Sequence, residues 1–165
     1  MEVTVTTTPK IDIGLSKESR EGTIKILTML LADEYTLYTK TKNYHWNVTG
    51  TNFNELHEFF GKQYEELDEI VDEVAERIRQ LGGYAPGTLA ELLSLTRIKE
   101  EPGKYPDARN MLSNLLSDHE HVIRTIRKDA DTVADEYHDM GTNDFLIGIM
   151  QKHEKMAWML RAYLE

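Results

Sequence analysis

Cysteine is absent from the 165 residues, and proline occurs only four times. The first absence excludes disulfides and thiolate metal sites, neither of which a chain of this length needs to bury a core. The second leaves long stretches in which nothing interrupts a helix, because Pro86, Pro102 and Pro106 gather in two short regions and Pro9 lies near the start. No uncharged apolar run approaches ~18 residues, so no membrane-spanning helix is expected, and the first twenty residues lack the apolar centre of a signal peptide. The chain reads as soluble and cytoplasmic, and its lack of thiols is compatible with a reducing compartment. Positive charge is also scarce: 19 Lys and Arg stand against 29 Asp and Glu, a formal net charge of −10. A surface of that sign repels nucleic acid on average. Residues 1–21 do not reverse it, since Lys10, Lys17 and Arg20 are outnumbered by Glu2, Asp12, Glu18 and Glu21.

What is present is helical periodicity. Ile24, Leu27, Leu31, Tyr35, Tyr38 and Tyr44 recur at steps close to three or four, predicting a helix from about Ser16 to Asn47 that Thr49-Gly50 ends. A second helix begins at Asn52 or Asn54 and carries Leu56, Phe60, Tyr64, Leu67, Val71, Val74 and Ile78 to a stop at Gly82-Gly83. The short turn between them makes the pair antiparallel. Thr88-Leu89-Ala90-Glu91 is a capping box that opens a short helix to about Leu95. Asp107 caps a third long helix expected to run towards Met140 and end at Gly141, and Thr142 or Asn143 begins the last. No repeat or linker divides the chain, which reads as a tail over 1–15 and an all-α domain over 16–165, a four-helix bundle with a short crossover helix between the second and third long helices. The tail's first eight residues, rich in threonine, are expected to be disordered or to lie over the surface.

Four residues have metal-ligand chemistry at informative spacings. His45 precedes the first turn and His57 follows it, so the hairpin brings them together at one end of the bundle. Asp72 and Glu76 lie four apart on the second helix and share a face. Asp72 is 72 − 57 = 15 residues beyond His57, roughly 22 Å along a helix, whereas such ligands bind at only ~2.0–2.2 Å. One chain cannot close a site from all four. A two-fold axis that sets the histidine end of one hairpin against the carboxylate end of another would make two equivalent sites. Imidazole with carboxylate and no thiol suits iron, zinc or manganese. Taken singly, each histidine is more readily an ordinary hydrogen-bonded side chain than a ligand, and the carboxylates belong to an acidic run from Glu65 to Glu76 that a solvated face would explain.

The whole string HWNVTGTNFNELHEFF, followed by DEVAERIRQLGG and, near the end, HEKMAWML, closely resembles the Dps family, the ferritin-like mini-ferritins named as DNA-binding proteins from starved cells. The resemblance implies a ferritin-like bundle, a hollow homododecamer, and an inter-subunit ferroxidase centre whose ligands are His45, His57, Asp72 and Glu76. It further implies oxidation of Fe²⁺ at di-iron sites, preferably by hydrogen peroxide, storage of ferric mineral and protection from oxidative stress, with zinc as a possible substitute metal. Many relatives carry a carboxylate four residues after the second histidine, where this chain has Gly61; that departure bears on the second iron position. The Glu-x-x-His motif of intra-bundle di-iron sites does not occur. Members that condense DNA use a lysine-rich tail, which this chain lacks, so nucleoid compaction with secondary iron chemistry is the less favoured alternative.

Other residues read as follows. Trp46 stands beside His45 and could absorb oxidising equivalents that escape the centre, although aromatics at helical spacing usually serve packing. His119 and His121 alternate too closely to share a face and are expected on a solvated surface, as is His138. His153 is either an ordinary polar contact or an approach to the centre from the last helix. Asp118 and Asp129 are weak candidates for acidic channels that admit Fe²⁺.

Overall fold

The computed structural model describes residues 10–165; the threonine-rich stretch expected to form a loose tail lies outside the described residues. Five helices follow in order: α1 (Lys17–Asn47), α2 (Phe53–Gln80), α3 (Leu89–Leu95), α4 (Ala108–Asp135) and α5 (Met140–Ala162). Four of these starts are built by side chains that satisfy otherwise unpaired backbone N–H groups, whereas Asn52, which precedes α2, makes no side-chain cap. Ser16 caps α1 by accepting from the Ser19 N–H, Thr88 and Glu91 form a reciprocal capping box on α3, and Asp107 accepts from the Asn110 N–H at α4.

Helix α1 packs along α2, and α4 along α5, giving two hairpins. Pairings between them fix their relative directions. Lys40 meets Asp118 and Tyr44 meets Asn114, so α1 and α4 run oppositely; Gln63 meets Met156 and Arg77 meets Thr142, so α2 and α5 do too. Leu27, Leu37, Phe60, Leu67, Ile70, Leu115, Ile126 and Leu146 are fully buried between the four. This is the expected all-α four-helix bundle, with α3 lying against α1 within the crossover.

The junction of α4 and α5 differs from expectation. The chain leaves the helix at Asp135, not near Met140, because His138 adopts a left-handed backbone (φ 55°) and the Asp139 side chain caps the next helix by accepting from the Thr142 N–H. Gly141 is inside α5. The signal is an aspartate cap preceded by a non-glycine residue in the left-handed region, where a glycine stop was expected.

Covered on one side by α2 and α4 and on another by α3, α1 buries polar residues as well as leucines. Thr36 and Thr41 return their hydroxyls to carbonyls four residues earlier. Asp33, fully buried, accepts from the Arg97 backbone N–H at 2.6 Å and from Arg97 Nε at 2.7 Å, which ties the segment after α3 to the bundle. Glu34, also fully buried, accepts through Oε1 from His153 Nε2 at 2.9 Å, and His153 Nδ1 lies 2.9 Å from His119 Nδ1.

His119 is therefore a core residue, contrary to the solvated position expected of it; only His121, two residues on, faces outwards in part, and His138 is exposed as expected. His153 makes a polar contact across the core and does not approach His45, since its partner Glu34 precedes His45 by 11 residues on α1, roughly 16 Å along the axis. Burial, reinforced by neighbouring His153, pushes the His119 imidazole well below the usual histidine value of 6.5. A depressed histidine gives stability that is complete above its unfolded value and is lost as pH falls through it, because the unfolded chain then binds the extra proton. Between pH 7.5 and 5.5 the urea midpoint of the wild type should accordingly fall, at a slope of at most ~1.4 kcal/mol per pH unit from this group. His119→Gln should show a smaller fall; an equal one would remove His119 as a source of the acid sensitivity.

Candidate metal centre

Two stripes of side chains meet along the outer groove between α1 and α2. On α1 they are Tyr35, Tyr38, Lys42 and His45; on α2, His57, Gly61, Tyr64, Asp68, Asp72 and Glu76, each at helical spacing. The turn at 48–52, with Gly50 at φ 119°, brings the two histidines together. Their rings stack with centroids 3.7 Å apart and planes at 20°. His45 Nδ1 donates to the His57 carbonyl at 2.6 Å, and His57 Nδ1 donates to the His45 carbonyl at 2.8 Å. A carbonyl can only accept, so each ring carries a proton on Nδ1, which leaves Nε2 as the nitrogen available to a metal. Phe53 lies against His57, with centroids 5.3 Å apart, and Tyr64 meets His45 edge-on at 5.1 Å.

Gly61 is buried beside this pair. A Cβ there would lie 3.4 Å from His45 Cε1 and Nδ1, ordinary van der Waals contact, so an alanine would fit against the His45 ring. Asp72 and Glu76 are exposed farther along α2, and neither has an ion-pair partner among the described residues; Glu73, between them, pairs with Lys152 at 3.1 Å. Within one chain no three histidines or carboxylates among the described residues converge on a point where a metal could sit. The donor set of a single subunit is two imidazoles at one end of α2 and two carboxylates without ion-pair partners among the described residues farther along it.

Trp46, the residue after His45 in the chain, is 65% exposed, with the Lys42 ammonium 5.9 Å from its ring. Asp118 is not free: Lys40 donates to it at 2.6 Å, yet burial outweighs that cation and raises its carboxyl above the usual range. Asp129 is likewise raised by burial, against the pull of Arg97 and Lys128. Sequence reasoning missed Lys42, Tyr38 and Tyr64 as parts of the groove. Only the spacing of Tyr38, Lys42 and His45 on one face of α1 could have pointed to them.

The bundle and its short crossover helix define a class, and residues 24–165 match the ferritin-like domain family. Among curated relatives, an uncharacterized low temperature-induced protein of Nostoc sp. is 48% identical over 95% of this chain and 88% of its own. DNA protection during starvation protein 2 of Bacillus anthracis is 38% identical over 86% of this chain and 95% of its own. A Dps protein of Vibrio cholerae, described with its structure as a member of a broad superfamily of ferritin-like diiron-carboxylate proteins, superposes with a TM-score of 0.88 at 30% identity, covering 96% of this chain and 99% of its own. The chain belongs to the Dps family of ferritin-like proteins.

Proposed function

We propose that the protein is a Dps-type ferroxidase and iron store. Fe²⁺ enters a hollow shell of roughly twelve copies, binds where His45 and His57 of one subunit meet Asp72 and Glu76 of another, and is oxidised there, with hydrogen peroxide as the preferred oxidant. The ferric product is deposited inside as mineral. The observation that carries this reading is the reciprocal pair of Nδ1 to carbonyl bonds, which leaves both Nε2 atoms available to a metal, separated from two unpaired carboxylates that only a second subunit could bring close. Leu89 and Leu93 on α3, 72% and 70% exposed in the single chain, supply an apolar face for that contact.

In such a site Asp72 and Glu76 stabilise Fe³⁺ over Fe²⁺ by their charge, and the neutral imidazoles fix geometry while leaving positions open to oxidant. Two Fe²⁺ ions reduce one H₂O₂ with two protons to two waters, so no hydroxyl radical leaves. Trp46, exposed beside His45, would absorb oxidising equivalents that escape. Zinc suits the same donors and would compete. Protection of DNA, in this reading, comes from removing Fe²⁺ and peroxide and not from electrostatic binding, which a charge of −10 per chain opposes. Anaerobic Fe²⁺ titration followed by H₂O₂ tests the assignment: the His45→Ala, Asp72→Ala double variant should oxidise iron at least ~100-fold more slowly than wild type. Equal rates would sink it.

A further inference from the structure

We propose that the buried histidines His119 and His153 form a metal site of their own, inside the bundle of a single subunit, which takes a cuprous ion between their Nδ1 atoms. The residues concerned come from three helices: Glu34 from α1, His119 from α4 and His153 from α5, all fully buried. His153 Nε2 donates to Glu34 Oε1 at 2.9 Å, and on the opposite edge of the same ring Nδ1 faces His119 Nδ1, also at 2.9 Å. The two rings are tilted by 50° with centroids 5.0 Å apart. Ring nitrogens that face each other at this distance share a proton, and a metal ion competes for the same lone pairs.

Glu34 stands to His153 as a carboxylate stands to a metal-binding histidine: it holds a proton on Nε2, fixes the ring and turns Nδ1 towards the site. Burial, together with His153, keeps the His119 imidazole neutral near pH 7. Polar atoms are also left over. Glu34 Oε2 and His119 Nε2 are buried without a hydrogen-bond partner, and no lysine or arginine pairs with Glu34 among the described residues. A buried carboxylate with one donor is costly until a positive charge offsets it.

The donor set selects the ion. Among the described residues no further imidazole or carboxylate converges on the two Nδ1 atoms, and their complete burial leaves no solvent to supply the rest of the shell that zinc or iron needs. A soft monovalent ion with a filled d shell accepts two nitrogens in line and needs no other ligand; imidazole suits copper, and cuprous copper is the biological ion of this kind. Charge points the same way. Two neutral imidazoles, the Glu34 carboxylate and one monovalent cation sum to zero, whereas a divalent ion would leave net positive charge in the core. At bond lengths of ~2 Å the nitrogens of a linear pair stand ~4 Å apart, so the rings separate by roughly 1 Å from their 2.9 Å spacing. Held in this way the ion has no position open to peroxide, which it would otherwise split to hydroxyl radical as Fe²⁺ does. The site uses no residue of the groove and is independent of the ferroxidase reading.

Assembled protein is titrated with Cu⁺ in the absence of oxygen against the competing chelator bicinchoninate. Wild type should retain at least one ion per chain, and the His45→Ala, His57→Ala variant, which lacks the groove histidines, should still retain one. Glu34→Gln keeps an oxygen for the His153 Nε2 proton but loses the charge, and should hold the ion at least ~10-fold more weakly. His119→Leu should not hold it. X-ray absorption by the loaded His45→Ala, His57→Ala protein should show two imidazole nitrogens and no sulfur. Size in solution establishes that each variant assembles; should His119→Leu fail to, the isosteric Glu34→Gln decides. The proposal is overturned by no retained ion in the His45→Ala, His57→Ala variant, by unchanged affinity in Glu34→Gln, or by full retention in assembled His119→Leu. A sulfur shell from buried Met150 or Met156, or equally tight retention of Zn²⁺ by the His45→Ala, His57→Ala variant, overturns it as well.

Discussion

Shells co-assembled from equal amounts of a His45→Ala, His57→Ala subunit and an Asp72→Ala, Glu76→Ala subunit are expected to recover about a quarter of the wild-type ferroxidase rate, although each variant alone is inactive. The fraction follows from two-fold symmetry. In a mixed pair, one site draws both of its altered halves and is dead, and the other draws the intact histidines of one chain and the intact carboxylates of its partner. Half of randomly formed pairs are mixed, and half of their sites are whole. The prediction separates the inter-subunit site from any centre built inside one chain, because chains that each lack part of their own site cannot repair one another by mixing. A mixed shell no more active than its components would end the shared-site reading.

Arg97→Ala is expected to lower stability by about 3 kcal/mol, a large effect for a residue whose side chain is 30% exposed. The cost falls on Asp33, which is fully buried in α1 and would keep only the Arg97 backbone N–H and the Thr96 hydroxyl for its charge. Removing one partner of a buried pair leaves an uncompensated charge, whereas replacing both by apolar groups of similar size often restores stability. The double variant Asp33→Leu, Arg97→Met should accordingly regain part of the loss, measured by denaturant midpoints at one protein concentration. A loss below about 1 kcal/mol in Arg97→Ala would instead give this pair the value of a surface ion pair.

The helices of this bundle are readable because their ends are written locally. Ser16, Thr88 with Glu91, and Asp107 each announce a start within four residues, and the apolar periodicity between them does the rest. The α4–α5 junction was misplaced for the converse reason: its stop depends on His138 adopting a left-handed backbone, which a histidine rarely announces, while Gly141 nearby offers a more familiar signal. The pairing of His45 with His57 was legible from the turn that separates them, and the separation of both from Asp72 and Glu76 from helix rise alone. The Glu34, His153 and His119 chain was not. Its members come from three helices, with Glu34 and His153 119 positions apart in sequence, and no local pattern marks a polar group that a distant helix will satisfy. The tyrosines of the groove were visible as spacing and were assigned to packing, since ring contacts across two helices have no trace in either sequence segment alone.

The turn at 48–52 acts as a ruler. Exposed connections are ordinarily where chains accept insertions and deletions, yet each histidine here is held by the carbonyl of the residue that bears the other. Lengthening the turn by a single residue would advance α2 by about 100° relative to α1, carrying both carbonyls away from both rings at once. Side chains at 49, 51 and 52 can vary with little consequence for this arrangement, whereas the number of residues between the histidines cannot.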